Sequence, residues 1–381
     1  MQIAEFQLER YFARWEFAAA VNLCASDIEG ISMREVLALA DDGCRELWDG
    51  LTLGYTEASG MPLLREEIAG MYEAIAPEHV YTFSGAEEAI FVLMHALLEP
   101  GDHVVATWPE YTALHDVARS IGAQVDLLER REEHGWQLDL DAYRDALRPG
   151  KTKLVVLNYP HSPTGALPSL DAFTEAARLA NDAGAHFFVD EVYRFLEHDE
   201  GDRLPAGADI AEHGISLGVL SKAFGLAGLR IGWLATRDAA VLRRCARIKD
   251  YTTICNSAPS EVLALIGLRA RDSLLARSRE LVQPNLELVD QLVRASPHLS
   301  WVRPAAGSVG FPRLVAEEPV ERFTDALVRE RGVLLLPGTL FGHTGNHFRI
   351  GTGRRNVPAG LELLGAFLED HYGSTDRSDG A

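Results

Sequence analysis

Lys222 stands at the end of an apolar run, Ile215 to Leu220, and at the start of a loop that holds Gly225 and Gly228. Arg230 follows eight residues after the lysine, on what reads as the next strand, Leu229 to Ala235. An amine at the end of a buried strand is costly to keep charged without a partner. That setting suits a lysine that acts as a nucleophile, as in a Schiff base with a carbonyl. The glycines let backbone come close to a bound group, and the arginine can hold a phosphate through two parallel N–H bonds. A surface lysine after a strand is the plainer alternative, and it leaves the chain's other motifs unexplained.

Four further stretches carry related chemistry. Phe188-Val189-Asp190 places a carboxylate straight after an apolar strand, where it needs a partner, and Tyr193 follows it. Ser84-Gly85-Ala86 opens a helix whose free N–H groups suit a phosphate, although a plain N-cap explains Ser84 equally well. Asn158 to Gly165 closes another apolar strand with Pro160 and Pro163, and on its own reads as a rigid turn. Arg349, between Phe348 and Ile350, would alone be an ordinary strand arginine.

The stretch Gly218 to Trp233 resembles the S-K-x-F-G-x-x-G-x-R-x-G signature of fold-type I, pyridoxal-phosphate-dependent class I/II aminotransferases. The resemblance implies pyridoxal 5′-phosphate as cofactor, Lys222 as the lysine that carries it, and Arg230 as a phosphate ligand. It makes Asp190 the partner of the pyridinium nitrogen and Tyr193 a donor to the phenolic oxygen. Gly85, Ala86 and, through its backbone, Glu87 match the phosphate cup. Tyr111, two residues after Pro109, matches the aromatic that stacks on the cofactor ring. Arg349 matches the arginine that holds a substrate α-carboxylate. Leu53 to Arg65 resembles the motif Y-x-x-x-x-G-x-x-x-L-R. Its tyrosine, here Tyr55, reaches the neighbouring subunit's phosphate, so a homodimer with shared sites is implied.

Two positions depart from that pattern. Ser162 stands where the family's N-x-P-x-N-P-x-G loop has its second asparagine, which donates to the phenolic oxygen. Val219 stands where a serine or threonine commonly binds the phosphate, which leaves Ser221 as the candidate hydroxyl. The implied activity is transfer of an amino group between an L-amino acid and a 2-oxo acid. Glu9-Arg10-Tyr11-Phe12 and Arg247 to Tyr251 are also similar to capreomycidine-synthase-like members, which eliminate a β-hydroxyl from a hydroxyarginine and then cyclise. A lyase or cyclase is therefore the alternative.

The elements that must position these residues alternate between strand and helix from about residue 80. Strands read at Tyr81–Phe83, Asp102–Thr107, Gln124–Glu129, Lys153–Asn158 and His186–Val189. Helical spacing reads at Ala113–Ile121, Leu140–Leu147 and from Leu170. This order predicts an α/β fold, a mostly parallel sheet with helices on both faces, plus a smaller α+β domain. Ligands of such sheets gather at the carboxyl ends of strands, where every motif above falls. The predicted division is a segment 1–44 that joins the small domain, a large cofactor-binding domain 45–270, and a small domain 271–381. Pro284 is expected to kink or interrupt the helical run Glu261–Ala295. Asp27 and Glu29 read as a solvated loop. The polar tail Gly373–Ala381 reads as disordered.

Composition excludes several classes. A formal net charge of -20 over 381 residues argues against a nucleic-acid surface and against docking on anionic lipid. The four cysteines, Cys24, Cys44, Cys245 and Cys255, form no C-x-x-C, which argues against structural zinc or a disulfide framework. No metal site is expected. Charges in Met1 to Arg10 occupy the place of a secretion signal's apolar core, so the cytoplasm is the expected location.

Overall fold

The computed structural model describes residues 3–373; Ser374 to Ala381 of the polar tail lie outside the described residues. Seven strands form the central sheet: β1 (Val80–Phe83), β2 (His103–Trp108), β3 (Gln124–Glu129), β4 (Thr152–Asn158), β5 (His186–Asp190), β6 (Gly214–Val219) and β7 (Gly232–Ala235). Their spatial order is β1-β7-β6-β5-β4-β2-β3. All run parallel except β7, which is antiparallel to both of its neighbours. The carboxyl ends of β1 and β6 and the start of β7 thereby share one edge of the sheet.

Strands β4 to β7 are nearly continuous apolar runs because helices cover both faces. Alternation along each strand sorts the side chains. Val104, Ala106, Leu154, Val156 and Phe188 join a core under the helices Ala86–Leu97, Ala113–Ile121 and Ala258–Arg269. Val105, Val155, Phe187 and Val189 join the opposite core, under Leu140–Ala146 and Leu170–Ala183.

A separate core gathers Leu23, Val289, Phe323, Phe348, Ile350 and Phe367. It lies between the helices Val320–Arg331 and Val357–Tyr372 and a small antiparallel sheet in which Phe348–Gly351 is the central strand. The N-terminal segment adds to it: Val21–Asn22 pairs parallel with Val333–Leu334. Asp27 and Glu29 are not simply solvated. Asp27 accepts from Arg354 Nη2 at 3.0 and 3.1 Å, and Glu29 accepts from the Arg355 backbone N–H at 2.9 Å.

The long helical run breaks at Ala270, between Ala258–Arg269 and Arg271–Ala295, and not at Pro284, which sits inside the second helix. The expected strand Leu229–Ala235 starts only at Gly232; Ala227–Leu229 is a short 3₁₀ turn. Among the described residues no helix is long and apolar enough to cross a membrane.

Candidate active site

The register of the sheet brings the motifs together before any side chain is considered. Asn158 and Asp190 are paired at the ends of β4 and β5, and Gly232 pairs with both Phe83 and Val219. Beyond this edge lies a cavity of about 210 Å³. Ala86, Glu87, Tyr111, Ser162, Asp190, Tyr193, Ser221, Lys222, Arg230 and Arg349 all line it. Tyr55 does not. It is 92% exposed on the surface of the subunit.

Gly85 is the N-cap of the helix Ala86–Leu97, at φ +96° and ψ 172°, a region that glycine alone occupies readily. Ser84 is therefore not the cap; its backbone N–H donates to Glu88 at 2.6 Å. A Cβ added at Gly85 would stand 2.4 Å from Arg230 Nη2, so the missing side chain admits the guanidinium over the helix N-terminus. Arg230 is not on a strand, as its spacing had suggested. It holds a left-handed conformation (φ 54°) after the 3₁₀ turn and leads into the antiparallel β7. Because β7 starts at this edge, the arginine meets the helix N-terminus there.

Lys222 Nζ donates to Ser26 Oγ at 2.7 Å. Burial pulls its pKa down to about 8, with Asp27 opposing. Asp190, 3% exposed, accepts from the Val192 N–H at 3.1 Å, and burial pushes its carboxyl up to about 7 against the pull of Lys222. Tyr193 donates its hydroxyl to the Ser26 carbonyl at 2.9 Å. Arg349 Nε donates to the Cys24 carbonyl at 3.0 Å, and its Nη2 is buried with no partner. Glu87 lines the cavity, and burial raises its carboxyl.

Several lining residues went unread in the sequence. Asn158 reads in the sequence only as part of a turn. Its Nδ2 donates to the Asp190 carbonyl at 3.0 Å and its Oδ1 accepts from the Ser162 N–H at 2.6 Å, which ties the β4 and β5 loops together. Ser26 has no motif around it that would have marked it. Leu8, Glu9 and Phe12 reach the cavity from the helix Gln7–Trp15. In the sequence their stretch is marked only by its likeness to other proteins.

The chain has four lysines, Lys151, Lys153, Lys222 and Lys249. The first and second are exposed around the start of β4, at the opposite edge of the sheet. Lys249 is fully buried and donates to the Ala58 and Thr82 carbonyls. Lys222 alone offers an amine to the cavity.

This set fits a phosphorylated, aldehyde-bearing ring with a basic nitrogen. The glycine cradle under Arg230 suits a phosphate, buried Asp190 lacks a cation in hydrogen-bond contact, and the orphaned Arg349 Nη2 lacks an anion. A family model described as aminotransferase class I and II matches residues 19–357. The chain is 31% identical to capreomycidine synthase of Streptomyces vinaceus over 378 residues, 98% of this chain and 96% of that protein. Among solved structures, a PLP-dependent aminotransferase from Streptococcus suis 89-1591 superposes with a TM-score of 0.92 at 30% identity, over 99% of this chain and 100% of that one. The PLP-dependent cyclase OrfR superposes with a TM-score of 0.88 at 27% identity, over 97% and 98% of the two chains. The chain belongs to the class I and II aminotransferase family, whose cofactor is pyridoxal 5′-phosphate held in a fold-type I scaffold.

Proposed function

We propose that this protein is an aminotransferase that moves the amino group of an L-amino acid to a 2-oxo acid. The observation that best supports this reading is one cavity holding an amine of lowered pKa, a buried carboxylate and an arginine with a free Nη2. Arg349 takes the substrate α-carboxylate through that nitrogen while its Nε stays anchored on Cys24, which fixes the direction of the Cα–H bond. Lys222, as a neutral amine, accepts the α-proton and returns it as a general acid. Bound pyridoxal phosphate supplies the electron sink for the α-carbon.

The rest of the set holds that group. Arg230, Ser221 and the N–H groups after Gly85 would take the phosphate, and Asp190 would keep the ring nitrogen protonated. Ser162 would hold the phenolic oxygen, with Tyr193 beside it once its hydroxyl turns from the Ser26 carbonyl, and Tyr111 would cover the ring. Tyr55 completes the phosphate site of a second copy in a homodimer. Its exposure supports this, because it serves nothing within its own subunit's cavity.

A second reading, elimination of a β-hydroxyl followed by cyclisation, is favoured by the end-to-end similarity to capreomycidine synthase. Glu9 also supports it. This carboxylate lines the cavity and makes no ion pair among the described residues, which suits a cationic substrate side chain. The test is a panel of ¹⁵N-labelled L-amino acids with and without an unlabelled 2-oxo acid, read by mass spectrometry. Transfer of ¹⁵N to the oxo acid supports transamination. Loss of water from a β-hydroxy amino acid without any acceptor, and no ¹⁵N transfer, establishes the second reading.

A further inference from the structure

Ser26 lies on a strap, Cys24 to Asp27, that the fold holds against the catalytic lysine from several sides. Its carbonyl accepts from Tyr193 at 2.9 Å and from Ser308 Oγ at 3.0 Å. Arg349 grips the Cys24 carbonyl, and Arg354 grips Asp27 through both carboxylate oxygens. Two glycines let the strap sit this close to the small unit. A Cβ at Gly351 would stand 2.1 Å from the Ala25 carbonyl oxygen, and one at Gly353 would stand 2.7 Å from that of Asp27. A serine fixed in this way presents its hydroxyl at a defined place, 2.7 Å from Lys222 Nζ.

We infer that Ser26 is a positioning residue for Lys222: its hydroxyl holds the lysine amine beside the reacting centre whenever that amine is not bonded to the cofactor. The inference rests on Lys222 being the cofactor lysine and is independent of whether the reaction is transamination or cyclisation. Without Ser26 the amine has no other hydrogen-bond partner among the described residues. The charged groups around it are Glu9, Glu16 and Asp27 from the N-terminal segment, Asp190 from β5 and Arg349 from the small sheet. A flexible four-carbon side chain among these would spread over several orientations. The device also links substrate recognition to the base. Arg349 holds the strap through Nε and has Nη2 free, so the group that would receive a carboxylate is bonded two residues from the lysine's partner.

Because Lys222 is the donor, Ser26 stabilises the protonated amine, and its removal lowers the pH at which the amine becomes nucleophilic. The test strips the full-length protein of cofactor and follows its recapture of added pyridoxal phosphate by absorbance as a function of pH. In wild type the recapture rate rises through the Lys222 titration. For Ser26→Ala that midpoint is expected to fall, while the plateau rate above it drops because the unheld amine spreads over several orientations. Ser26→Thr, which keeps the hydroxyl, is expected to restore the wild-type midpoint. On any amino-acid substrate found in the ¹⁵N panel, Ser26→Ala is expected to lower kcat with little change in KM.

An unchanged midpoint in Ser26→Ala overturns the inference, as does an equal displacement in Ala and Thr variants, which would reflect packing of the strap. Failure of wild type to recapture pyridoxal phosphate on Lys222 would instead remove the cofactor assignment on which the inference rests.

Discussion

Gly85 and Arg230, 145 residues apart in sequence, occupy one volume: a single added carbon on the glycine would stand 2.4 Å from the guanidinium. The glycine's backbone, at φ +96° and ψ 172°, is closed to other residues at modest cost. Gly85→Ala is therefore expected to destabilise the protein by ~1–3 kcal/mol. It should also weaken pyridoxal phosphate binding at least tenfold, because Arg230 must move off the helix N-terminus. Urea unfolding and a cofactor titration measure the two effects separately.

Asp190 gives a pH dependence with a definite sign. An ordinary aspartate titrates near ~3.9, and burial carries this one to about 7. A carboxyl whose pKa is raised on folding takes up a proton between those values. Its favourable contribution is thus fully present below the unfolded value and is lost as pH rises through 7. Cofactor-free Asp190→Asn should accordingly be more stable than wild type at pH 8, on the order of 2–4 kcal/mol, with the two proteins converging near pH 4. The same variant should bind and use the cofactor poorly, since an amide gives the ring nitrogen no charge. Urea unfolding across pH checks the first point.

Tyr55 makes a prediction about assembly. Each site is proposed to take Lys222 from its own chain and Tyr55 from the other. Mixing inactive Lys222→Ala subunits with impaired Tyr55→Phe subunits should create hybrid dimers with one intact site and one doubly damaged site. Random exchange would restore up to about a quarter of wild-type activity. No recovery in subunits shown to have exchanged, or full activity in a monomer by light scattering, would contradict the sharing.

Ser162 is proposed to serve, with a shorter hydroxyl, where the family pattern has an amide donor. Its backbone is fixed by Asn158 at 2.6 Å, so a longer side chain cannot be accommodated by shifting that loop without breaking the bond. Ser162→Asn is expected to stabilise the ionised phenolic oxygen and lower the pH midpoint of the lysine-bound cofactor's absorbance by up to about one unit. If the serine weakens that contact to favour elimination, the asparagine variant should gain transamination relative to elimination on a β-substituted amino acid. Identical midpoints in a spectrophotometric titration would show that the serine already serves as the donor or that neither residue touches the ring.

The sheet was legible because its central strands are buried on both faces: runs such as Leu154–Asn158 and Phe187–Asp190 leave little alternative to a covered parallel sheet. The placement of residues carried by local motifs was legible too: Lys222 and Asp190 line one cavity, and Gly85 caps the helix beside it. What escaped depends on long-range closure. Ser26 lies 196 residues from Lys222, and its place beside the amine comes from the strap's clasp by Arg349, Tyr193 and Arg354. Arg230 reads as a strand residue because Leu229 to Ala235 is otherwise a run of apolar residues and one glycine. The antiparallel turn of β7 instead delays the strand to Gly232 and leaves the arginine in a left-handed corner. Pro284 lies within an intact helix, while the break came at Ala270, where one helix ends and the next begins at Arg271.

Everything proposed for the site depends on Lys222 carrying the cofactor. Borohydride reduction of the holoprotein fixes the linkage, and peptide mass mapping then locates it among four lysines. The predicted result is one phosphopyridoxyl group on the peptide containing Lys222, lost in Lys222→Ala together with turnover and the lysine-bound cofactor absorbance, while the variant stays folded. Modification of Lys151, Lys153 or Lys249 at comparable occupancy, or a Lys222→Ala protein that still shows the lysine-bound absorbance, would contradict it.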